Sequence, residues 1–126
     1  MADLMVVKWY ATVLRQELFA TEVARVAPFS LRYGATQYRV HIDQDDRYKI
    51  NQMTWVNDHD DWYRFWEGPE MIEFRARWMG KYQVPIVYAW AEEIAAGEMG
   101  AGVIEDYGER DPNPADRPSM SATDSY

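Results

Sequence analysis

The chain has 126 residues, enough for one domain with a genuine apolar core and no covalent staples. It contains no cysteine, which excludes disulfides, thiolate catalysis and cysteine-zinc sites. Its formal charge is −8, and residues 97–126 hold seven acids against two bases, so −5 of that excess belongs to the C-terminal segment.

A surface of this sign repels a phosphate backbone, whose affinity comes from Lys and Arg neutralisation, so no nucleic-acid partner is expected. The opening residues MADLMVVKWY show no basic segment leading an apolar run, and no apolar run nears the ~18 residues of a membrane span. The expectation is a cytoplasmic protein with no signal peptide and no membrane contact. Six Trp and nine Tyr are many for this length, and they favour a bulky core together with a buried interface.

In chain order, LMVVKWYATV (Leu4 to Val13) is β-branched and aromatic with a loose period of two, which predicts a strand. From Arg15 to Ala27, Leu18 or Phe19, Val23 and Val26 recur at helical spacing against Arg15, Glu17, Glu22 and Arg25. This is an amphipathic helix that Pro28 should end. After Gly34, the alternation of Thr36, Tyr38, Val40 and Ile42 with Gln37, Arg39 and His41 predicts a second strand. The turn DQDDR leads to YKINQMTWV (Tyr48 to Val56), a third strand in a hairpin with the second. Ile50 and Met53 have opposite parity there, so a bulge is expected.

Asn57 or Asp58 should cap the next helix, with Asp60 and Asp61 in its first turn and Trp62, Phe65 and Trp66 on one face. Gly68 and Pro69 break it, as a C′ glycine and an N1 proline would, and Met71, Phe74 and Trp78 continue on a further helix. VPIVYAW (Val84 to Trp90) predicts a fourth strand, with Pro85 at an edge or at its start. AEEIAA (Ala91 to Ala96) then predicts a short helical piece.

The expected domain is residues 1–96. Residues 97–126, rich in Gly, Pro, Ser and Asp, read as an acidic C-terminal arm suited to a protein partner. The order β-α-β-β-α-β is the split βαβ of ferredoxin-like α+β domains: a four-stranded antiparallel sheet with its helices on one face. The strands carry apolar residues on both parities, so the other face needs cover, and a homodimer is the expected solution.

The order and size of these elements resemble the antibiotic-biosynthesis-monooxygenase-like family of dimeric α+β barrels. So does the segment RYKINQMTWVNDHDDWYRFWEGPEMIEF, a strand running into an aromatic helix, a break and more helix. The resemblance covers roughly residues 3–95. It implies a fold shared by cofactor-independent oxygenases of polycyclic phenols, by haem-degrading enzymes and by members without known activity. A helix tryptophan lining the pocket recurs in that family, and Trp66 stands at the matching position. The haem-degrading branch has a histidine ligand downstream of that tryptophan, where this chain has Ala76 and Arg77. That branch also needs an asparagine on the first strand, which VVKWYATV lacks. No haem, and no other cofactor, is therefore expected.

Trp62, Phe65, Trp66, Phe74 and Trp78 read first as core, because helical aromatic stripes usually are. The candidate ligand pocket, for a small flat aromatic, is Trp66 and Trp55 as walls, Phe74 beside them, and Arg75 or His59 as the polar handle. His41 and His59 both titrate near neutrality in principle, but each fits a surface position as well. DQDD and DHDD lack the glycine and distal glutamate of a calcium loop, and read as a hairpin turn and a helix cap, with no metal. With no nucleophile constellation, any catalysis has to be substrate-centred, with O₂ reacting directly with a bound phenolate. The other readings are a non-catalytic assembly subunit and a carrier or sensor that uses the same slot without turnover.

Overall fold

The computed structural model describes residues 2–100; Met1 and residues 101–126, most of the predicted acidic arm, lie outside the described residues. The first strand, β1 (Asp3–Tyr10), is followed by helix α1 (Gln16–Val26) and a 3-10 helix (Ala27–Tyr33). Strands β2 (Ala35–Ile42) and β3 (Lys49–Val56) form the hairpin. Helices α2 (His59–Trp66) and α3 (Pro69–Arg77) follow, and β4 (Val87–Ala91) completes the sheet. The strand order is β2-β3-β1-β4, and every pairing is antiparallel. This is the predicted ferredoxin-like α+β arrangement.

Period two sorts the sheet into two faces. Met5, Val7 and Trp9 of β1 and Ile50, Gln52, Thr54 and Val56 of β3 point to the helices and are all buried. Phe19, Val23 and Val26 of α1, Trp62, Phe65 and Trp66 of α2, and Met71 and Phe74 of α3 close over them. The opposite face carries Leu4, Val6, Met53 and Trp55 in its centre, all half-buried, and no described element covers it.

Two local expectations change. α1 ends at Val26, before Pro28 as expected, and the chain continues as the 3-10 helix, whose first turn accepts proline because its N–H has no partner to lose. The bulge lies on β2, where Thr36 is the extra residue between Ala35 and Gln37, and β3 runs regularly. Met53 differs in parity from Ile50 simply because it belongs to the open face. The helical piece predicted over Ala91–Ala96 is not formed. Ala91 ends β4, and Glu92 to Gly100 have no regular structure. Six residues do not nucleate a helix without a packing partner, and Ile94, at 91% exposed, has none. The compact unit ends at Glu93 and a second begins at Ile94.

Gly68 closes the break between α2 and α3 for a reason other than the one its position suggests. Its φ is −77°, an ordinary value, so no left-handed cap is needed. A Cβ here would sit 2.7 Å from the Tyr33 hydroxyl and 2.9 Å from the Arg64 carbonyl, so glycine is required for close approach. Tyr33 uses that approach to donate to Glu70 Oε1 at 2.6 Å, fastening the 3-10 helix to α3.

Candidate functional site

The five residues expected to form a pocket fall into two groups, one beneath the helices and one at an end of the sheet. Trp66 and Arg75 lie in the interior beneath the helices. Trp66 is 6% exposed, stacks on Trp62 at 4.9 Å, and also meets Trp9 and Tyr88. The Arg75 guanidinium lies 4.3 Å over the Trp66 ring, and burial holds its pKa below the ordinary arginine value. Phe74 reaches this layer through Trp9, its ring edge-on at 5.7 Å. Its other side borders a shallow groove of about 230 Å³ between α1 and α3.

The interior is polar as well as aromatic. Trp9 Nε1 donates to Gln52 Oε1 at 2.9 Å. Gln52 Nε2, Thr54 Oγ1, Trp62 Nε1 and Arg75 Nη1 are buried without a protein partner. Buried polar atoms are ordinarily satisfied, so these four are where a water or a polar ligand atom would be welcome.

Trp55 and His59 are together elsewhere, at the end of the sheet where β1 and β2 begin and β3 and β4 finish. They line a cleft of about 510 Å³ with Asp3, Gln37 and Trp90, closed off by Glu92 and Glu93. Local sequence chooses this arrangement. Asp58 caps α2 by accepting from the Asp60 N–H at 2.9 Å, which makes His59 the first residue of the helix. The short turn after Val56 then brings that residue back against the start of β1, where His59 Nε2 lies 2.8 Å from Asp3 Oδ2. Trp90 sits opposite Met5 on β4, and its ring stacks on the imidazole at 3.6 Å with 6° between the planes. The indole N–H of Trp90 donates to the Tyr63 hydroxyl at 3.3 Å, which fixes the ring in this position.

A carboxylate on Nε2 holds the neutral imidazole in one tautomer, with its proton directed at Asp3 and Nδ1 left as the basic nitrogen. Asp3 and His59 are about half exposed, so the pair adds little to folding, and its geometry bears on chemistry more than on stability. Among the described residues no three His, Asp or Glu side chains are grouped to hold a metal.

Asp3, Trp90, Gln37 and the two glutamates were not singled out by the sequence. Asp3 does carry a signal: it shares the parity of Met5, Val7 and Trp9, and an acid at the end of a core-facing row asks for a partner. His41 is exposed on β2 opposite Asn51, at the other end of the open face.

Comparison with solved structures gives the fold. SnoaB, a cofactor-independent oxygenase of Streptomyces nogalater determined as a variant, superposes with a TM-score of 0.63 at 14% identity, covering 75% of this chain and 95% of that one. A Nitrosomonas europaea protein named for antibiotic biosynthesis monooxygenases gives 0.66 at 13%, covering 74% and 99%. One from Bordetella bronchiseptica, named in the same way, gives 0.65 at 14%, covering 75% and 98%. No family model and no curated protein sequence matches the chain. The chain thus has the α+β fold of the antibiotic-biosynthesis-monooxygenase-like structures.

Proposed function

We propose that the protein is a cofactor-independent monooxygenase of a flat, electron-rich aromatic, with the cleft at Trp55, His59 and Trp90 as its site. The observation that carries this reading is the Asp3–His59 pair stacked on Trp90 at the wall of an aromatic cleft. The shared fold with SnoaB supports the reaction class.

Trp55 and Trp90 would hold the ring system, and Nδ1 of His59 would take the acidic proton of a phenol or activated methylene. The resulting carbanion-enolate gives its electrons to O₂ directly. For a methylene group, both hydrogens leave, one oxygen atom becomes the new carbonyl oxygen, and the other departs as water. The protein contributes orientation, the base and partial exclusion of water. Arg75 plays no part in this cleft, since its guanidinium is engaged with Trp66.

A homodimer through the open sheet face belongs to the same proposal, because Leu4, Val6, Met53 and Trp55 form an apolar centre there. The test is oxidation of a dihydroxyanthrone probe under ¹⁸O₂. One labelled oxygen in the quinone, formed faster than in buffer and reduced at least about 100-fold in His59→Ala, is the expected result for loss of a general base. No acceleration over buffer would overturn it.

A second reading, a non-catalytic assembly subunit, is favoured by one observation: the interior at the Trp66 position is filled by packed aromatic rings. It predicts that neither the probe nor its quinone binds, while the dimer persists.

A further inference from the structure

Proton removal by His59 leaves an oxyanion in a cleft whose other ionisable lining residues are Asp3, Glu92 and Glu93. At a few ångströms a like charge is unfavourable even at a wet surface, so the anion needs a donor of its own. Among the described residues that line the cleft, Gln37 brings the one side-chain amide.

The bulge on β2 is what puts Gln37 there. Counting from Ala35, opposite Val56, regular pairing would set Gln37 opposite Thr54 and beneath the helices. With Thr36 as the extra residue, Gln37 stands opposite Trp55 instead, in the row that borders the cleft. The Thr36 hydroxyl donates to the Trp55 carbonyl at 3.3 Å and fastens the irregular pair. Bulges commonly re-aim a side chain beside a functional site, and here the re-aimed side chain is the amide.

The same shift places Arg39 on the face that Gln37 now shares, opposite Met53 and one row further from the cleft. The Gln37 side-chain oxygen accepts from Arg39 Nε at 2.8 Å and from Nη2 at 3.0 Å. Two donors from one planar guanidinium set the plane of the amide. They commit its oxygen to Arg39 and leave the N–H₂ as the end that meets a ligand. A cation on the oxygen also polarises the amide, which strengthens those N–H donors.

We infer that Gln37 donates to the oxyanion of the bound substrate, and that Arg39 is a positioning residue that acts through Gln37. Both roles rest on the aromatic site proposed above, to which they add a binding residue and a direction. The strand order sets Gln37, Trp55, Asp3 and Trp90 in sequence across the end of the sheet, with Glu92 and Glu93 continuing from β4. Three strand spacings span about 14 Å, enough for a fused polycycle with its substituents. A ring ketone laid along this line has its activated methylene at His59 and its carbonyl oxygen towards β2. As the C–H bond breaks, the proton passes to Nδ1 and the electron pair is delocalised onto that oxygen, where Gln37 receives it.

The test uses the full-length chain and a hydroxyanthraquinone, whose phenolate oxygen stands in for the enolate oxygen. The two ionisation states of the probe differ in colour, so the pH midpoint of the bound probe reads the donor directly. Gln37 and Arg39 are exposed, and Gln37→Met and Arg39→Met keep their length while removing the amide and the charge. Gln37→Met should raise the midpoint by about 1 pH unit, a tenfold loss of preference for the phenolate, and leave affinity for the neutral form within about twofold. A residue that only shapes the wall would weaken both forms alike, and an unmoved midpoint would overturn the donor role.

Arg39→Met should move the midpoint in the same direction, and the double variant should move it no further than Gln37→Met alone. Additive shifts would mean that Arg39 reaches the anion directly, and would overturn its role through Gln37. A wild type that does not bind the probe, or binding that survives Trp55→Ala, removes the aromatic site itself. A probe that depends on Trp55 but has the same midpoint in Gln37→Met removes the donor and leaves that site standing.

Discussion

Replacing Trp66 by alanine tests how the interior beneath the helices is built. The ring is 6% exposed and in contact with Trp62, Trp9 and Tyr88, so its removal opens a cavity walled by other rings that are themselves held in place. A buried large aromatic cut to alanine costs about 3–5 kcal/mol. The Arg75 guanidinium, 4.3 Å over the ring, loses its aromatic partner in the same step, and a partly desolvated contact of that kind contributes about 0.5–2 kcal/mol. The two effects share atoms and do not add fully, so the expected loss is about 4–5 kcal/mol. In urea, with a slope of about 2 kcal/mol per molar, the midpoint should fall by about 2 M. Trp66→Phe keeps a ring and should lose about half as much, which preserves a measurable transition if the alanine variant is largely unfolded. A loss below about 2 kcal/mol for Trp66→Ala would refute the packing argument, because only a ring bordering open space is removed so cheaply.

Three further outcomes follow from particular contacts. Gly68→Ala forces a methyl against the Tyr33 hydroxyl and the Arg64 carbonyl and should cost about 1–3 kcal/mol by urea titration, although its φ suits alanine. Thr54→Val removes a buried hydroxyl that has no protein partner and should raise stability by about 1 kcal/mol; a loss instead would show that an internal water or ligand holds it. The Tyr33 hydrogen bond, with smaller help from the backbone and Arg32, lowers the Glu70 pKa, so the stability it adds is present above the unfolded value of about 4.3 and disappears as pH falls through the lowered folded value. The urea midpoints of wild type and Glu70→Gln should therefore differ at pH 7 and converge in acid, and a gap that is constant with pH would contradict this.

Much of the fold was legible because its signals are local. The period-two rows of β1 and β2, the Asp58 cap and the Trp62-Phe65-Trp66 stripe each need only a few neighbouring residues, and each element formed where its pattern lay. Where the sequence misled, the deciding partner was distant or absent. The Ile50–Met53 parity conflict looked like a bulge because one strand does not reveal that both of its faces are apolar for different reasons. Ala91–Ala96 had helical composition but nothing to pack against.

The candidate site was less legible, for the same physical reason. His59 was visible, but its two defining neighbours lie 56 and 31 positions away along the chain, at Asp3 and Trp90. Only the antiparallel sheet brings them together. Trp66 stood out on the resemblance of its surroundings, and the structure sets it among packed rings rather than beside Trp55.

The central claim is that a flat aromatic binds at the end of the sheet, and calorimetric titration with a hydroxyanthraquinone tests it most directly. Wild type should bind the probe. Trp55→Ala and His59→Ala should each weaken binding at least about tenfold, the scale of a lost aromatic or charge-assisted contact, while Trp66→Phe leaves it unchanged. Binding that survives Trp55→Ala and His59→Ala but is lost in Trp66→Phe would place the site in the interior and contradict the account.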